Sequence, residues 1–186
     1  PIQFRAFVDD PAARVRYWAR SYVGWPRIAA ARPNPAHFGL AALDRPGDDE
    51  LVSELFVLLA EKQTDFMMFF RQLATPTVES LRPAYYGDVP MDSLGAWLGK
   101  YEARAANEAG RAARMNAVNP KYIFRNYLAQ QAIDAIEQGG DAAPLERLML
   151  VLKRPYDEQP EHQDLYARRP EWARHKAGCS ALSCSS

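Results

Sequence analysis

The chain has 186 residues, of which 48% are apolar, and its 23 basic and 23 acidic side chains give a formal net charge of zero. This length and apolar content suit one domain, or one domain with a tail, that buries a sizeable core. The charge balance argues against a nucleic-acid-binding surface, and the lack of a long apolar run or a signal peptide predicts a cytoplasmic protein with no membrane partner.

Helical periodicity dominates the first half of the chain, and strand signals are scarce. Residues 11–22 form the first predicted helix because their apolar side chains recur at spacings of three and four. Asp48 or Asp49 is predicted to cap the second helix, which carries leucines at helical spacing. Thr64 or Asp65 is predicted to cap a third helix, which places several phenylalanines on one face.

The second half continues the helical pattern. We predict a helix that starts at Asp92 or Ser93, an extension or short turn within residues 107–118, a helix from Asn119, and a helix over residues 141–153. Together the elements predict an all-α array of six or seven helices that ends in an irregular C-terminal tail.

The predicted helix from Asn119 has the strongest local signals. Asn119 can cap its start, Pro120 suits the first turn because proline lacks the N–H that would be unpaired there, and Gly139-Gly140 can stop it. On a helical wheel Arg125 points into the apolar face, and a guanidinium cannot lose its charge, so its burial requires partners. We expect a structural ion pair, and the alternative is a contact with a nucleotide or a substrate. The candidate carboxylates are Asp65, Glu102 and Glu137.

Composition and the positions of prolines and glycines predict three regions. These are a segment with one helix and a proline-rich loop over residues 1–47, a helical core over residues 48–154, and an irregular tail over residues 155–186. Judged by its helices alone, the chain also fits a free-standing interaction module without catalysis.

Few residues suggest chemistry. His37, His162 and His175 have no serine or cysteine at a spacing typical of a catalytic triad. Cys179 and Cys184, which four residues separate, could form a local disulfide, bind a metal weakly or be inert. A structural zinc site needs four ligands, and only one histidine lies near these cysteines, so we expect no metal site. The chain also lacks a glycine-rich phosphate loop, Val-Ala-Ile-Lys, His-Arg-Asp and Asp-Phe-Gly, so we expect it to bind no nucleotide cofactor.

Four segments in order resemble the selenoprotein O family, which is also known by the bacterial name YdiU. The segments are Thr64-Asp65-Phe66 with Phe69-Phe70-Arg71-Gln72-Leu73, Trp97-x3-Tyr101-x2-Arg104, Asn119-Pro120-Lys121-Tyr122-Ile123-Phe124-Arg125-Asn126-Tyr127-Leu128-Ala129-Gln130-Gln131-Ala132-Ile133, and the terminal Ser183-Cys184-Ser185-Ser186. The many Ala and Arg residues are typical of a GC-rich bacterial genome.

The resemblance implies a protein kinase-like fold that binds ATP with Mg2+ or Mn2+ and transfers AMP to hydroxyl side chains of other proteins. In that family the nucleotide-binding motifs lie upstream of the matched region. The chain therefore resembles the C-terminal portion of such an enzyme, and a start at Pro1 fits a fragment, although processing would also explain it. We expect the segment itself to be inactive, to have the upstream kinase-like domain as its partner, and to self-associate if that domain is missing.

The resemblance also implies a redox role for Cys184, since some family members carry selenocysteine at this position. In the family the C-terminal cysteine can join a cysteine of the upstream kinase-like domain and so restrain that domain. Cys179 has no counterpart in the family pattern, and a redox role for it is the weaker expectation.

Overall fold

A computed structural model describes residues 33–176 and Cys179. The predicted helix over residues 11–22, and Cys184 with the terminal Cys-Ser-Ser, lie outside the described residues. Within residues 33–176 the regular secondary structure is helical, with one isolated bridge between Thr64 and Tyr85 and no strand, and this confirms the all-α prediction. None of the described helices is both long and apolar enough to cross a membrane.

Seven α-helices and four short 3-10 helices lie within the described part of the chain. The α-helices are α1 (Asp48–Glu61), α2 (Phe66–Gln72), α3 (Val78–Leu81), α4 (Met91–Ala105), α5 (Arg111–Val118), α6 (Asn126–Gly139) and α7 (Ala143–Leu152). The 3-10 helices are Pro35–Phe38, Arg82–Ala84, Pro160–Leu165 and Glu171–Arg174. Within the described residues beyond α7, two 3-10 helices interrupt an irregular tail, as predicted. The chain divides into two compact units at the bond between Asn119 and Pro120, so the predicted core over residues 48–154 includes parts of both.

The helix starts of the first unit follow local chemistry. Asp65 caps α2 as predicted, because its Oδ1 accepts the N–H of Met68 at 3.1 Å. Asp48 does not cap α1. The capping position belongs to Gly47 in the left-handed region, and Asp48 is the first helical residue. The start of α4 is Met91, one residue before the predicted position.

The core of the first unit forms where α1 packs against α4 and where aromatic rings from α2 meet the 3-10 helix Pro35–Phe38. Phe38 and Phe70 meet edge to face with their ring centroids 5.4 Å apart, and Trp97 stacks on Tyr101 at 5.2 Å. Almost no solvent reaches the largest of the core side chains, which include Phe38, Phe69, Leu55, Leu94, Trp97 and Tyr101.

The predicted helix from Asn119 is wrong at its start. Residues 120–125 are not helical, and α6 begins at Asn126. The backbone N–H groups of Lys121 and Tyr122 both donate to the carbonyl of Pro155, at 2.8 and 3.0 Å. These N–H groups bond to the segment after α7, which holds residues 120–125 in an irregular path. Asn119 ends α5 as its C-cap.

Helices α6 and α7 pack against each other, and Gly140, which adopts φ 68°, ends α6 as predicted. Leu128, Ala132, Leu148 and Val151 are buried. Other large apolar side chains of these two helices are exposed, namely Ile133, Ile136, Leu145 and Met149.

Candidate functional site

The residues of the Trp97-x3-Tyr101-x2-Arg104 motif lie on one face of α4 and hold the segment before it. The Trp97 indole N–H donates to the carbonyl of Leu51 at 2.8 Å, and the Tyr101 hydroxyl donates to the carbonyl of Phe38 at 2.8 Å. Both side chains are buried, so each hydrogen bond satisfies a carbonyl that water does not reach. The spacing of four and three residues places all the donors on the same side of the helix.

Arg104 completes this row through a buried ion pair with Asp48. Its Nε lies 2.7 Å from Asp48 Oδ1 and its Nη2 lies 3.1 Å from Oδ2, and the same Nη2 donates to the carbonyl of Ala42 at 2.7 Å. The two side chains are only 10% and 3% exposed. The hydrogen bond from Arg104 lowers the pKa of Asp48 below its usual value against the opposing effect of burial, and the N–H of Arg45 assists it. Asp48 therefore stays ionised at neutral pH.

Arg71, from the motif that begins at Thr64, links α2 to the end of α5. Its Nη1 donates to the carbonyls of Asn116 and Asn119 at 3.1 and 3.0 Å. These carbonyls belong to the last turn of a helix, where intrahelical donors run out and a cation is favourable. Arg71 is buried and acts as a cap for α5 from outside that helix.

Asn119 is a buried junction in the first unit. Its Oδ1 lies 2.7 Å from His37 Nδ1, and its Nδ2 donates to the carbonyl of His37 at 3.1 Å. The amide thus contacts both the ring and the backbone of one residue in the 3-10 helix Pro35–Phe38. Asn119 thus hydrogen-bonds to a segment that is distant in sequence, a role that a search for helix caps does not reveal.

Lys121 and Tyr122, from the longest of the four motif segments, bond to the segment after α7 within the second unit. The Lys121 ammonium pairs with Glu158 and lies 5.4 Å from the ring centroid of Tyr166. The Tyr122 hydroxyl donates to the carbonyl of Gln159 at 2.7 Å. Lys121 is 9% exposed, so its charge is held by an anion and by aromatic faces.

Arg125 is the N-cap residue of α6 and lies outside the helix on whose face it was predicted to point. Its carbonyl accepts the N–H groups of Leu128 and Ala129 at 3.0 and 3.1 Å. Two of its candidate partners have other roles, since Glu102 pairs with Arg111 at 3.1 Å and Asp65 caps α2. The structural ion pair of Arg125 stays a prediction.

Cys179 lies in the interior of the second unit. It is a free thiol, 6% exposed, and it packs in a cluster of the second unit that also holds Tyr127, Leu128, Leu148 and Ala173. Lys176 ties the same stretch to α6, because its Nζ lies 2.8 Å from Asp134 Oδ2. The apolar cluster around Cys179 and the contact between Lys176 and Asp134 both bind this part of the tail to the second unit.

The part of the chain that the structure describes offers no group of three His, Cys, Asp or Glu side chains that could hold a metal ion. His37 Nδ1 lies 2.7 Å from the side-chain oxygen Oδ1 of Asn119, and His162 Nδ1 accepts a hydrogen bond from Arg147 Nε at 3.1 Å.

The Asp48–Arg104 pair is the feature that sequence reasoning missed. Asp48 was interpreted as a candidate helix cap, and Arg104 only as a member of a motif. The available signal was the position of Arg104, seven residues after Trp97 and three after Tyr101, which places a cation on the buried face of α4. Such a cation requires a carboxylate, but 56 residues separate the partners in sequence.

Five motif side chains among the described residues thus donate to backbone carbonyls of the unit in which they lie, namely Arg71, Trp97, Tyr101, Arg104 and Tyr122. The family model described as protein adenylyltransferase SelO matches residues 34–153. The chain belongs to the SelO family.

Three curated relatives, each named protein nucleotidyltransferase YdiU, agree with this assignment. The protein from Nitrosospira multiformis is 45% identical over 81% of this chain and 34% of its own length. The protein from Tolumonas auensis is 47% identical over 76% of this chain and 30% of its own, and the one from Rhodopirellula baltica is 41% identical over 80% and 32%. The chain spans about a third of the length of these relatives.

Proposed function

We propose that the chain is the helical C-terminal region of a protein that transfers AMP from ATP to Ser, Thr or Tyr hydroxyls of other proteins. In this proposal it braces an upstream kinase-like domain and binds no nucleotide itself. The observation that supports it is that the buried side chains of the family motifs bond to backbone carbonyls and carboxylates within the same unit.

Three cations of these motifs are already engaged. Arg104 is held by a carboxylate and a carbonyl, Arg71 by the end of α5, and Lys121 by Glu158. A residue that clamps a triphosphate must direct its donors toward the ligand, and these three direct theirs inward. This arrangement favours a scaffold over a catalytic role.

The catalytic parts belong upstream in this proposal. ATP carries negative charge that Mg2+ or Mn2+ neutralises, and the residues that hold the metal and the nucleotide would lie in the kinase-like domain. The protein substrates supply the hydroxyl acceptors, and the compartment would be the bacterial cytoplasm.

The chain is expected to show no rise in melting temperature with ATP and Mg2+ or Mn2+, and no ATP-dependent labelling of proteins. Binding at about 100 times Kd would add about 2.7 kcal/mol to its stability, a shift that thermal unfolding detects easily. A full-length YdiU relative measured in parallel serves as the positive control. A saturable shift with the chain alone would contradict the scaffold role.

For the tail, we propose that Cys184 is the redox-active thiol and that Cys179 is a packing residue. Burial protects a thiol from oxidants and exchange partners, so the 6% exposure of Cys179 supports this division. Peroxide would oxidise Cys184 and a second thiol to a disulfide and be reduced to water, with two hydrogens leaving the two thiols. In the whole protein the second thiol would belong to the upstream domain.

The folded chain is first reduced, the reductant is removed, and a thiol-reactive dye is added. We expect one thiol of the chain to react fast. Cys184→Ser should remove it, and Cys179→Ser should keep it, while denaturation should expose two thiols in the unchanged chain. Fast labelling of the Cys184→Ser variant would assign the reactivity to Cys179 and contradict the proposal.

A further inference from the structure

The outer face of α7 carries an exposed stripe made of Glu146, Met149, Leu150 and Lys153. Their spacing of three, four and seven residues places them on one side of the helix. Met149 and Leu150 are 51% and 52% exposed, and all four residues line one open concavity on this surface. Two large apolar side chains side by side at this exposure form a patch that a partner could cover.

The charges on the stripe are arranged so that the stripe complements itself. Glu146 lies three residues before the apolar pair, and Lys153 lies three residues after it. In an antiparallel pair of α7 helices with a two-fold axis between Met149 and Leu150, Glu146 of each copy faces Lys153 of the other. Such contacts are isologous, and each charge pair occurs twice. A parallel arrangement would instead set like charges against each other.

Both charges are available for a partner. Within residues 33–176 neither Glu146 nor Lys153 forms an ion pair, whereas Arg147 between them is held by both carboxylate oxygens of Asp164. Met149 and Leu150 supply apolar area at the centre of the stripe, and the two charges lie at its rim. An apolar centre with a polar rim is the usual anatomy of a protein interface.

We propose that this stripe docks antiparallel against the same stripe of a second copy of the chain. The proposal goes beyond the scaffold role, because it concerns association between copies and not the bracing of an upstream domain. One helix from each copy is a small interface, so the dimer is weak and concentration-dependent.

Sedimentation velocity in reducing buffer, at roughly 10 to 500 µM chain, tests the proposal in a range suited to weak association. Reducing buffer removes any dimer joined by Cys184. The unchanged chain should show a weight-average mass that rises with concentration toward that of a dimer. Glu146→Lys and Lys153→Glu each replace two opposite-charge contacts by two like-charge contacts, so each should weaken the dimer by about tenfold or more.

The double variant Glu146→Lys/Lys153→Glu restores both pairs with their signs exchanged and should recover the association. Asp88→Lys, an exposed loop carboxylate reversed in the same way, is the matched control and should leave the dimer unchanged. Circular dichroism checks that every variant remains folded. A chain that stays monomeric at all concentrations would overturn the proposal. A double variant that associates as weakly as the single variants would also overturn it.

Discussion

Replacing Arg104 with methionine is expected to lower the free energy of unfolding by about 3–5 kcal/mol, because it leaves Asp48 as a buried charge without its cation. Asp48 is 2% exposed and cannot recover the lost interaction from water. The measurement is urea unfolding at pH 7, followed by far-UV circular dichroism.

Lys100→Met is the matched control, since Lys100 also lies on α4 and also pairs with an α1 carboxylate, that of Glu54, at 2.8 Å. Those side chains are 58% and 43% exposed, so the change should cost less than about 1 kcal/mol. Adding Asp48→Asn to Arg104→Met should recover part of the loss, because the isolated charge is gone. Equal costs for the two single variants would contradict the importance of the buried pair.

The stability lost in Arg104→Met depends on pH because the pKa of Asp48 is lowered in the folded chain. A carboxyl with a lowered folded-state pKa stabilises the fold at pH values above its unfolded pKa, and this stability is lost as the pH falls through the folded value. Without Arg104, burial raises the pKa of Asp48, so the variant takes up a proton at a higher pH than the unchanged chain does. The cost of Arg104→Met should therefore be largest at neutral pH and shrink as the pH falls toward and below about pH 4.

The second large effect is expected for Gly39→Ala. Gly39 adopts φ +67°, and a Cβ there would lie 2.3 Å from Arg111 Cγ and 2.9 Å from Met115 Cγ. Met115 is fully buried, so it cannot move aside into solvent. The left-handed backbone costs about 1–2 kcal/mol and overpacking about 1–3 kcal/mol, so the free energy of unfolding should fall by about 2–5 kcal/mol in the urea assay.

Gly47→Ala separates these two contributions. Gly47 also has a positive φ, +89°, but a Cβ there would have no atom within 4 Å. Only the backbone cost of about 1–2 kcal/mol should remain. If the Gly39 and Gly47 variants lose the same free energy of unfolding, the close approach of α5 to Gly39 adds nothing to the cost of the Gly39 variant.

Local chemistry determined much of the helical framework from the sequence alone. Asp65 caps α2 and Gly140 ends α6, as predicted, because a cap depends on side chains within a few residues. The buried stripe of α4 was also predictable, since Leu94, Trp97 and Tyr101 recur at helical spacing.

Only the tertiary structure decided the path of residues 120–125, the partner of Asp48 and the burial of Cys179. The carbonyl of Pro155 takes two N–H groups that a helix from Asn119 would have used, and that carbonyl is more than thirty residues away. Asp48 and Arg104 meet because α1 packs on α4. Periodicity states that a face is apolar but not which neighbour covers it, so Ile133 and Met149 could be exposed while Cys179 was buried.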